Sequence, residues 1–258
     1  MTVAYGSRRI FLTTCFQENS TIETVNLSDS QFVFYNQENN YYLYYDMYEA
    51  FQNCPNLTTV TNMPKEVTEM SNCFYNCPNL TYVDKLPSWS LYLNDTFNSC
   101  TNFAQTIKIP ESALEIGGMF LGTAITQAPF IPESVYWMKG TFKNCTQLTG
   151  DILIKSRNIE SAELCFDGTT LRKNVYVPFW NLTQYTTEKT KTYQSFLDEG
   201  YDSDGTKNGV YLMDYDELAN GKLLVRDYEY TTNEIDEVTL TKYIGIGGNI
   251  DLPVIEEM

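Results

Sequence analysis

The side chains able to carry chemistry in this sequence are 33 carboxylates and seven cysteines, with no histidine beside them. Without histidine there is no Ser-His-Asp or Cys-His catalytic pair, no His-ligated metal and no HExxH zinc helix. The usual titrating group between pH 5 and 8 is missing as well. The cysteines are Cys15, Cys54, Cys73, Cys77, Cys100, Cys145 and Cys165, an odd number and sparse for a small disulfide scaffold. Their closest pair, Cys73-x-x-x-Cys77, lacks the C-x-x-C spacing of a zinc knuckle or redox motif. They are read as buried, reduced thiols that act as small hydrophobes. Carboxylate-only chemistry, such as a glycosidase pair, requires two carboxyl groups about 5–10 Å apart across a cleft. No Asp/Glu pair stands out for it, so the expectation is a protein that is not an enzyme and carries no cofactor and no metal.

The charge balance narrows the partners. Lysine and arginine total 17, the formal net charge is −16 and the isoelectric point is about 4.3. Affinity for nucleic-acid phosphate comes mostly from lysine and arginine, so a nucleic-acid partner is not expected, nor is an anionic membrane face. Residues 188–258 hold 16 acidic and 6 basic side chains, the larger part of that imbalance. Within them Asp202-Ser-Asp204-Gly205 hints at a calcium loop. An EF-hand would need Asp/Asn, Gly and Glu where Thr206, Lys207 and Met213 stand, so this reads as a turn with solvated carboxylates. At the other end, Ser7-Arg8-Arg9-Ile10-Phe11-Leu12 resembles a twin-arginine signal and Leu12-Thr-Thr-Cys15 a lipoprotein box. The apolar run stops by Thr13, short of the roughly 7–15 residues a signal needs. No stretch reaches the roughly 18 apolar residues of a transmembrane helix.

The elements that position all this come from an internal repeat. Met47-Tyr-Glu-Ala-Phe51-Gln-Asn-Cys54-Pro-Asn-Leu57-Thr is followed by Met70-Ser-Asn-Cys-Phe74-Tyr-Asn-Cys77-Pro-Asn-Leu80-Thr. Further copies start at Leu93, Ile116, Met138 and Ala162. Their phenylalanines fall at 51, 74, 97, 120, 142 and 166, in steps of 23, 23, 23, 22 and 24. Prolines at 64, 87, 110, 132 and 178 keep the same phase, with Lys155 on the skipped rung. A period of 20–29 residues is the signature of a leucine-rich-repeat solenoid. Met/Leu/Ile and the Phe four residues later share one helix face, which predicts a helical turn ended by Asn-Cys-Pro-Asn or Asn-Cys-Thr-Gln. Leu57–Met63, Leu80–Leu86, Phe103–Ile109 and Leu148–Ile154 are β-branched-rich and read as short strands. One unit cannot bury its own apolar face but stacked neighbours can, so Phe, Met/Leu and Cys/Thr should form interior ladders. Thr123 and Thr169 on the Cys rung point to a narrow interior slot for a small side chain.

The pattern P-x-x-V-x-x-M-x-x-x-F-x-x-C-x-x-L-T, carried here by Pro64, Val67, Met70, Phe74, Cys77, Leu80 and Thr81, resembles the BspA-like leucine-rich repeats. Val175-Tyr-Val-Pro178, Thr192-Tyr193-x-x-Phe196 and Gly200-Tyr-Asp-x-Asp-Gly205 resemble the tail that closes such arrays. The resemblance implies an α/β repeat: a solenoid of about six 23-residue repeats over 47–178. N-terminal cap strands over 1–46 and an acidic C-terminal capping or docking β module over 179–258 flank it. Ile10–Phe16 and Gln31–Tyr35 read as strands of the first part. In the last, Leu223–Tyr230 and Val238–Ile244 read as a hairpin with its loop at Thr231–Asn233.

The resemblance also implies adhesion or assembly. The first expectation is a structural protein of a tailed-bacteriophage virion (fibre, spike or baseplate appendage), made in the host cytoplasm without a signal peptide. Its partners would be other virion proteins and a host cell-surface protein or glycan, with homo-oligomers allowed. The alternative is a bacterial BspA-like surface adhesin or a fragment of one. On either reading the strand face should make contact, through side chains such as Thr59, Tyr82, Asp84, Gln105, Lys108 and Asp151. The aromatic patch Tyr41, Tyr42, Tyr44, Tyr45 and Tyr48 is read first as a shield for the open end of the array. A sugar- or partner-binding platform is the second reading of the same residues.

Overall fold

The computed structural model describes residues 12–27, 45–169, 173–182, 187–201, 206–207, 210–215, 228–232 and 238–243. The chain divides into two compact units, Met1–Met213 and Asp214–Met258. In chain order the strands are β1 (Thr24–Asn26), β2 (Tyr45–Asp46), β3 (Thr59–Thr61), β4 (Val67–Glu69) and β5 (Tyr82–Val83). Then come β6 (Ile152–Leu153), β7 (Lys173–Val177), β8 (Trp180–Leu182) and β9 (Thr187–Lys189). The helix α1 (Lys191–Asp198) follows, then β10 (Thr206–Lys207) and β11 (Val210–Asp214).

Two parallel ladders run through the repeats. In the first, β1, β3 and β5 pair in that order, Thr24 with Thr59 and Thr59 with Tyr82. It resumes at Ile131 with Ile154 and Ile152 with Val175, the latter in the four-stranded order β10-β11-β7-β6. The second begins with β2 on β4 and continues as single bridges, Glu69 to Tyr92 to Glu115 to Trp137 to Ser161. From β2 and β3 onward partners stand 22 to 24 residues apart, and β1 stands 35 before β3, so each repeat lays its strand beside the same strand of the next. The strands β8 and β9 form a separate antiparallel pair.

The segments expected as helical turns are not helices. In each repeat the residue two before the Phe and the residue two after it are left-handed. Glu49 and Asn53 have φ of 52° and 57°, Asn72 and Asn76 56° and 54°, Gly118 and Gly122 62° and 70°. Two such residues per turn break the α-helical hydrogen-bond pattern and free alternate N–H groups to reach sideways. Met47, Glu49, Phe51 and Asn53 therefore donate to Glu69, Ser71, Cys73 and Tyr75 of the next repeat at 2.8–3.1 Å. Between them Ala50 and Gln52 donate back to Met47 and Glu49, both at 3.1 Å. Half of the turn's donors thus tie repeat to repeat, which a helix bonded within itself cannot do. Asparagine and glycine recur at these places because they tolerate positive φ. Leu164 sits there too, at φ 54°, with an exposed side chain. Leu164→Asn is expected to raise unfolding free energy by about 0.5–1 kcal/mol by relieving that conformation; no gain in a urea titration would contradict it.

Inside the turns the phenylalanines stack face to face. Phe51, Phe74, Phe97, Phe120, Phe142 and Phe166 follow one another with centroids 5.6–5.9 Å apart and planes within 18°. The stack continues at both ends where the sequence reading saw no repeat. Phe16 lies 5.1 Å from Phe51, and Leu12, Thr14, Phe16 and Glu18 donate to Asp46, Tyr48, Ala50 and Gln52. Residues 12–27 are therefore a turn and strand of the repeat kind, and the strand expected at Ile10–Phe16 is, from residue 12 on, this turn. The unit was overlooked because Phe16 and Phe51 are 35 residues apart, which breaks the period. At the other end Phe196 of α1 stacks on Phe166 at 6.1 Å, and Thr192 Oγ1 donates to Ser156 O at 2.7 Å. Phe196 and Thr192 thus pack on the last repeat, inside the compact unit Met1–Met213.

The cysteine ladder has a structural account. Cys77, Cys100 and Cys145 donate their thiols to the carbonyls of Phe51, Phe74 and Phe120 in the preceding repeat, at 2.9–3.0 Å; Cys54 does the same to Phe16. Each thiol fills a narrow slot and satisfies a carbonyl there, while Thr123 and Thr169 turn back to their own Phe carbonyls. Burial pushes the Cys100 thiol up to about 12 and raises Cys73 and Cys165 as well. The hydrogen bond with Cys77 lowers the Cys54 thiol to about 7, but Cys54 is buried like the other five ladder and core cysteines, so access decides: native protein should yield one fast-reacting thiol, the exposed Cys15, and seven after denaturation. A second fast thiol in a native DTNB assay would contradict this ladder.

In the second unit β12 (Tyr228–Thr232) pairs antiparallel with β13 (Val238–Tyr243). The hairpin is as expected, but its loop is not at Thr231–Asn233. Thr231 and Thr232 pair with Thr239 and Val238, so the ladder extends beyond the expected turn.

Candidate recognition surface

The proposed contact residues fall on the first ladder, and the structure treats them unequally. In a strand, residues two apart share a face. Val83 is buried, so Tyr82 and Asp84 point outward together, about 6–7 Å apart along the strand. Tyr82 is 46% exposed. Asp84 is held in place, its Oδ2 accepting the Asn62 N–H at 2.8 Å and its Oδ1 the Lys85 N–H at 2.9 Å. Thr59 is half-buried in β3 and aligned with Tyr82. Asp151 is exposed three repeats beyond Tyr82, accepting from the Asn174 side-chain amide at 3.1 Å. Lys108 is exposed and pairs with Glu111 at 3.8 Å.

Gln105 does something the sequence reading did not foresee. Its Oε1 accepts the Val83 N–H at 3.0 Å and its Nε2 donates to Val83 O at 2.7 Å. The side-chain amide stands where the main chain of the next strand belongs. Among the described residues, no main-chain N–H of residues 104–109 donates to a main-chain carbonyl. The expected strand at Phe103–Ile109 is absent, and the first ladder is broken on both sides of the third repeat, resuming only at Ile131.

The apolar phase also changes here: the first two repeats bury Val60 with Met63 and Val83 with Leu86, three apart, whereas the third and fifth bury Ile107 with Ile109 and Ile152 with Ile154, two apart. At the break lies a depression of about 360 Å³ whose banks are Asp84–Ser88 and Gln105–Glu111. Three of the six proposed contact residues, Asp84, Gln105 and Lys108, line it, whereas Thr59, Tyr82 and Asp151 do not. Lys85, Ser88, Thr106 and Glu111 were missed. The i,i+3 against i,i+2 spacing of the buried aliphatics was the signal that marked their location.

A second outer row follows the bridges. Glu115 accepts from Asn94 Nδ2 at 2.7 Å and from the Tyr136 hydroxyl. That hydrogen bond, helped by burial, pushes the Tyr136 phenol up to about 12. Trp137 lies over Gly117, where a Cβ would meet its ring at 3.1 Å. Of the tyrosine patch, Tyr48 is 37% exposed and Tyr45 pairs its backbone with Val67. Tyr41, Tyr42 and Tyr44 lie outside the described residues, as do the expected strand Gln31–Tyr35 and the Asp202/Asp204 turn. Among the described residues no group of three or more His, Cys, Asp or Glu side chains is placed to hold a metal ion. Nor is any helix long and apolar enough to cross a membrane.

Strand ladders, left-handed turns and a central ring stack, with mixed sheets and few helices, define a leucine-rich-repeat fold. The model of the BspA type leucine-rich repeat region matches in six copies, over residues 7–81, 46–149 and 71–188. The chain belongs to the BspA-type leucine-rich repeat family. Among solved structures, it is similar to a leucine-rich repeat protein from Bacteroides ovatus at 23% identity and a TM-score of 0.47. That alignment covers 60% of this chain and 40% of the other, so the chain spans less than half of that protein's length. No curated protein matches.

Proposed function

We propose that this chain is a non-catalytic, adhesin-like recognition protein of the bacterial surface. In this reading the repeats form a short solenoid that holds its outer strand face rigid toward a host or neighbouring-cell protein or glycan. The observation that carries it is the BspA-type repeat match running from residue 7 to residue 188, since the family resemblance implies adhesion. The phage-virion expectation draws no support from that match, and the surface reading is the nearer of the two. Main-chain bonds from turn to turn make the repeat stack a stiff scaffold, and rigid scaffolds position binding residues with little ordering cost.

The test is location. Brief protease treatment of intact cells of the source culture should release peptides of residues 47–178, while a cytosolic marker stays protected. Stoichiometric recovery in purified phage particles instead, with nothing released from cells, would overturn the surface reading and restore the virion one.

A further inference from the structure

We propose that the break between the second and third repeats is a binding site for an uncharged oligosaccharide; the proposal rests on the recognition reading and gives it a ligand class. The depression of about 360 Å³ is within the range of small-ligand sites, roughly 300–1,000 Å³, and suits one or two sugar rings. Its charged lining side chains are two lysines, Lys85 and Lys108, against Asp84 and Glu111, so its charges cancel in a protein of net charge −16. A charged ligand would leave part of that set uncompensated, whereas hydroxyl groups match donors and acceptors alike.

The donors and acceptors are unusually available. The main chain of residues 104–109 makes no ladder bonds, and it forms one bank of the site. The Asp84 carboxylate on the other bank is pre-positioned by Asn62 and Lys85 N–H groups, and Gln105 is anchored to Val83 at both amide atoms. Leu86, Ile107 and Pro110 supply an apolar floor. One exposed aromatic stands beside the site: Tyr82, 46% exposed, shares the outer face of its strand with the lining residue Asp84. Flat sugar faces bearing C–H groups stack on such rings while their hydroxyls bond to the rim.

The probes are purified tetrasaccharides of glucose (α- and β-linked), mannose, xylose, galactose and N-acetylglucosamine, with a galacturonate tetrasaccharide as the charged comparison. Isothermal titration of the full chain reads binding. At least one neutral sugar is expected to bind, and the charged one not to bind. Tyr82→Ala beside the site and Lys108→Ala in its lining, both at exposed positions, should each weaken binding by about tenfold or more. Leu164→Ala, at an exposed position of the sixth repeat, should leave affinity unchanged.

Absence of binding by every neutral sugar at millimolar concentration overturns the proposal. So does equal loss in Leu164→Ala and Lys108→Ala, or capture of only the charged sugar, or of a strand-forming peptide that pairs with residues 104–109. Each of those leaves the surface location intact, because shaving of intact cells reads location and not ligand. Conversely, sugar binding that survives a failed shaving experiment would keep the site and discard the surface reading.

Discussion

Phe97→Ala is expected to lower the unfolding free energy by about 3–5 kcal/mol, the usual cost of emptying a buried Phe site. Phe97 is fully buried and touches three rings: Phe74 at 5.7 Å, Phe120 at 5.9 Å and Phe103 at 4.3 Å. Its loss removes the buried ring and three stacking contacts, each worth about 0.5–1.5 kcal/mol beyond area. Neighbouring rings cannot collapse into the space, because each is pinned by the turn-to-turn bonds of its own repeat. Phe16→Ala, at an end rung where the ring is 38% exposed and stacks only on Phe51 among the described residues, should cost about 1–2 kcal/mol. The comparison is made by urea titration of both variants at equal ionic strength. Equal losses would mean that the stack is not the continuous core described above.

Gly118→Val should cost about 2–4 kcal/mol, the second-largest effect. Gly118 has φ +62°, a region closed to β-branched residues, and a Cβ there would stand 2.1 Å from Asp95 Oδ1. That carboxylate accepts from Asn98 Nδ2 at 2.7 Å, so the clash breaks a half-buried hydrogen bond as well as straining the turn. Gly122 provides the internal control. It too is left-handed, at φ +70°, but a Cβ there meets nothing within 4 Å. Gly122→Asn should therefore stay within about 1 kcal/mol of the parent. Thermal melts of the two variants read the difference, and a stable Gly118→Val would mean that the double left-handed turn does not hold.

The two variants mark where sequence reasoning worked and where it stopped. The positions of Phe97 and Gly118 were legible as members of a 23-residue register. What Gly118 does was not, because Met-x-x-x-Phe spacing fits a helical turn and a left-handed double turn equally well. The choice between them depends on whether N–H groups bond within the turn or to the neighbouring repeat, and that neighbour is 23 residues away. The asparagines and glycines two places either side of Phe were the local clue, since both tolerate positive φ.

The recognition surface divides in the same manner. Asp84, Gln105 and Lys108 were picked as outward side chains of a regular strand face, and all three line the depression, but for a different reason. The strand they were assigned to in the third repeat does not form, and Gln105 bonds inward to Val83 rather than outward.

By itself the sequence determined the period, the interior Phe and Cys ladders, the family and the exclusion of histidine chemistry. Each of these follows from residue type and spacing, which any stacked arrangement of the units must respect. Only the tertiary structure decided that the turns are left-handed, that Phe16 and Phe196 extend the stack, and that the first ladder is interrupted at the third repeat. Those outcomes rest on hydrogen bonds and packing between residues far apart in the chain, where the energy of a conformation lies in its neighbour rather than in itself.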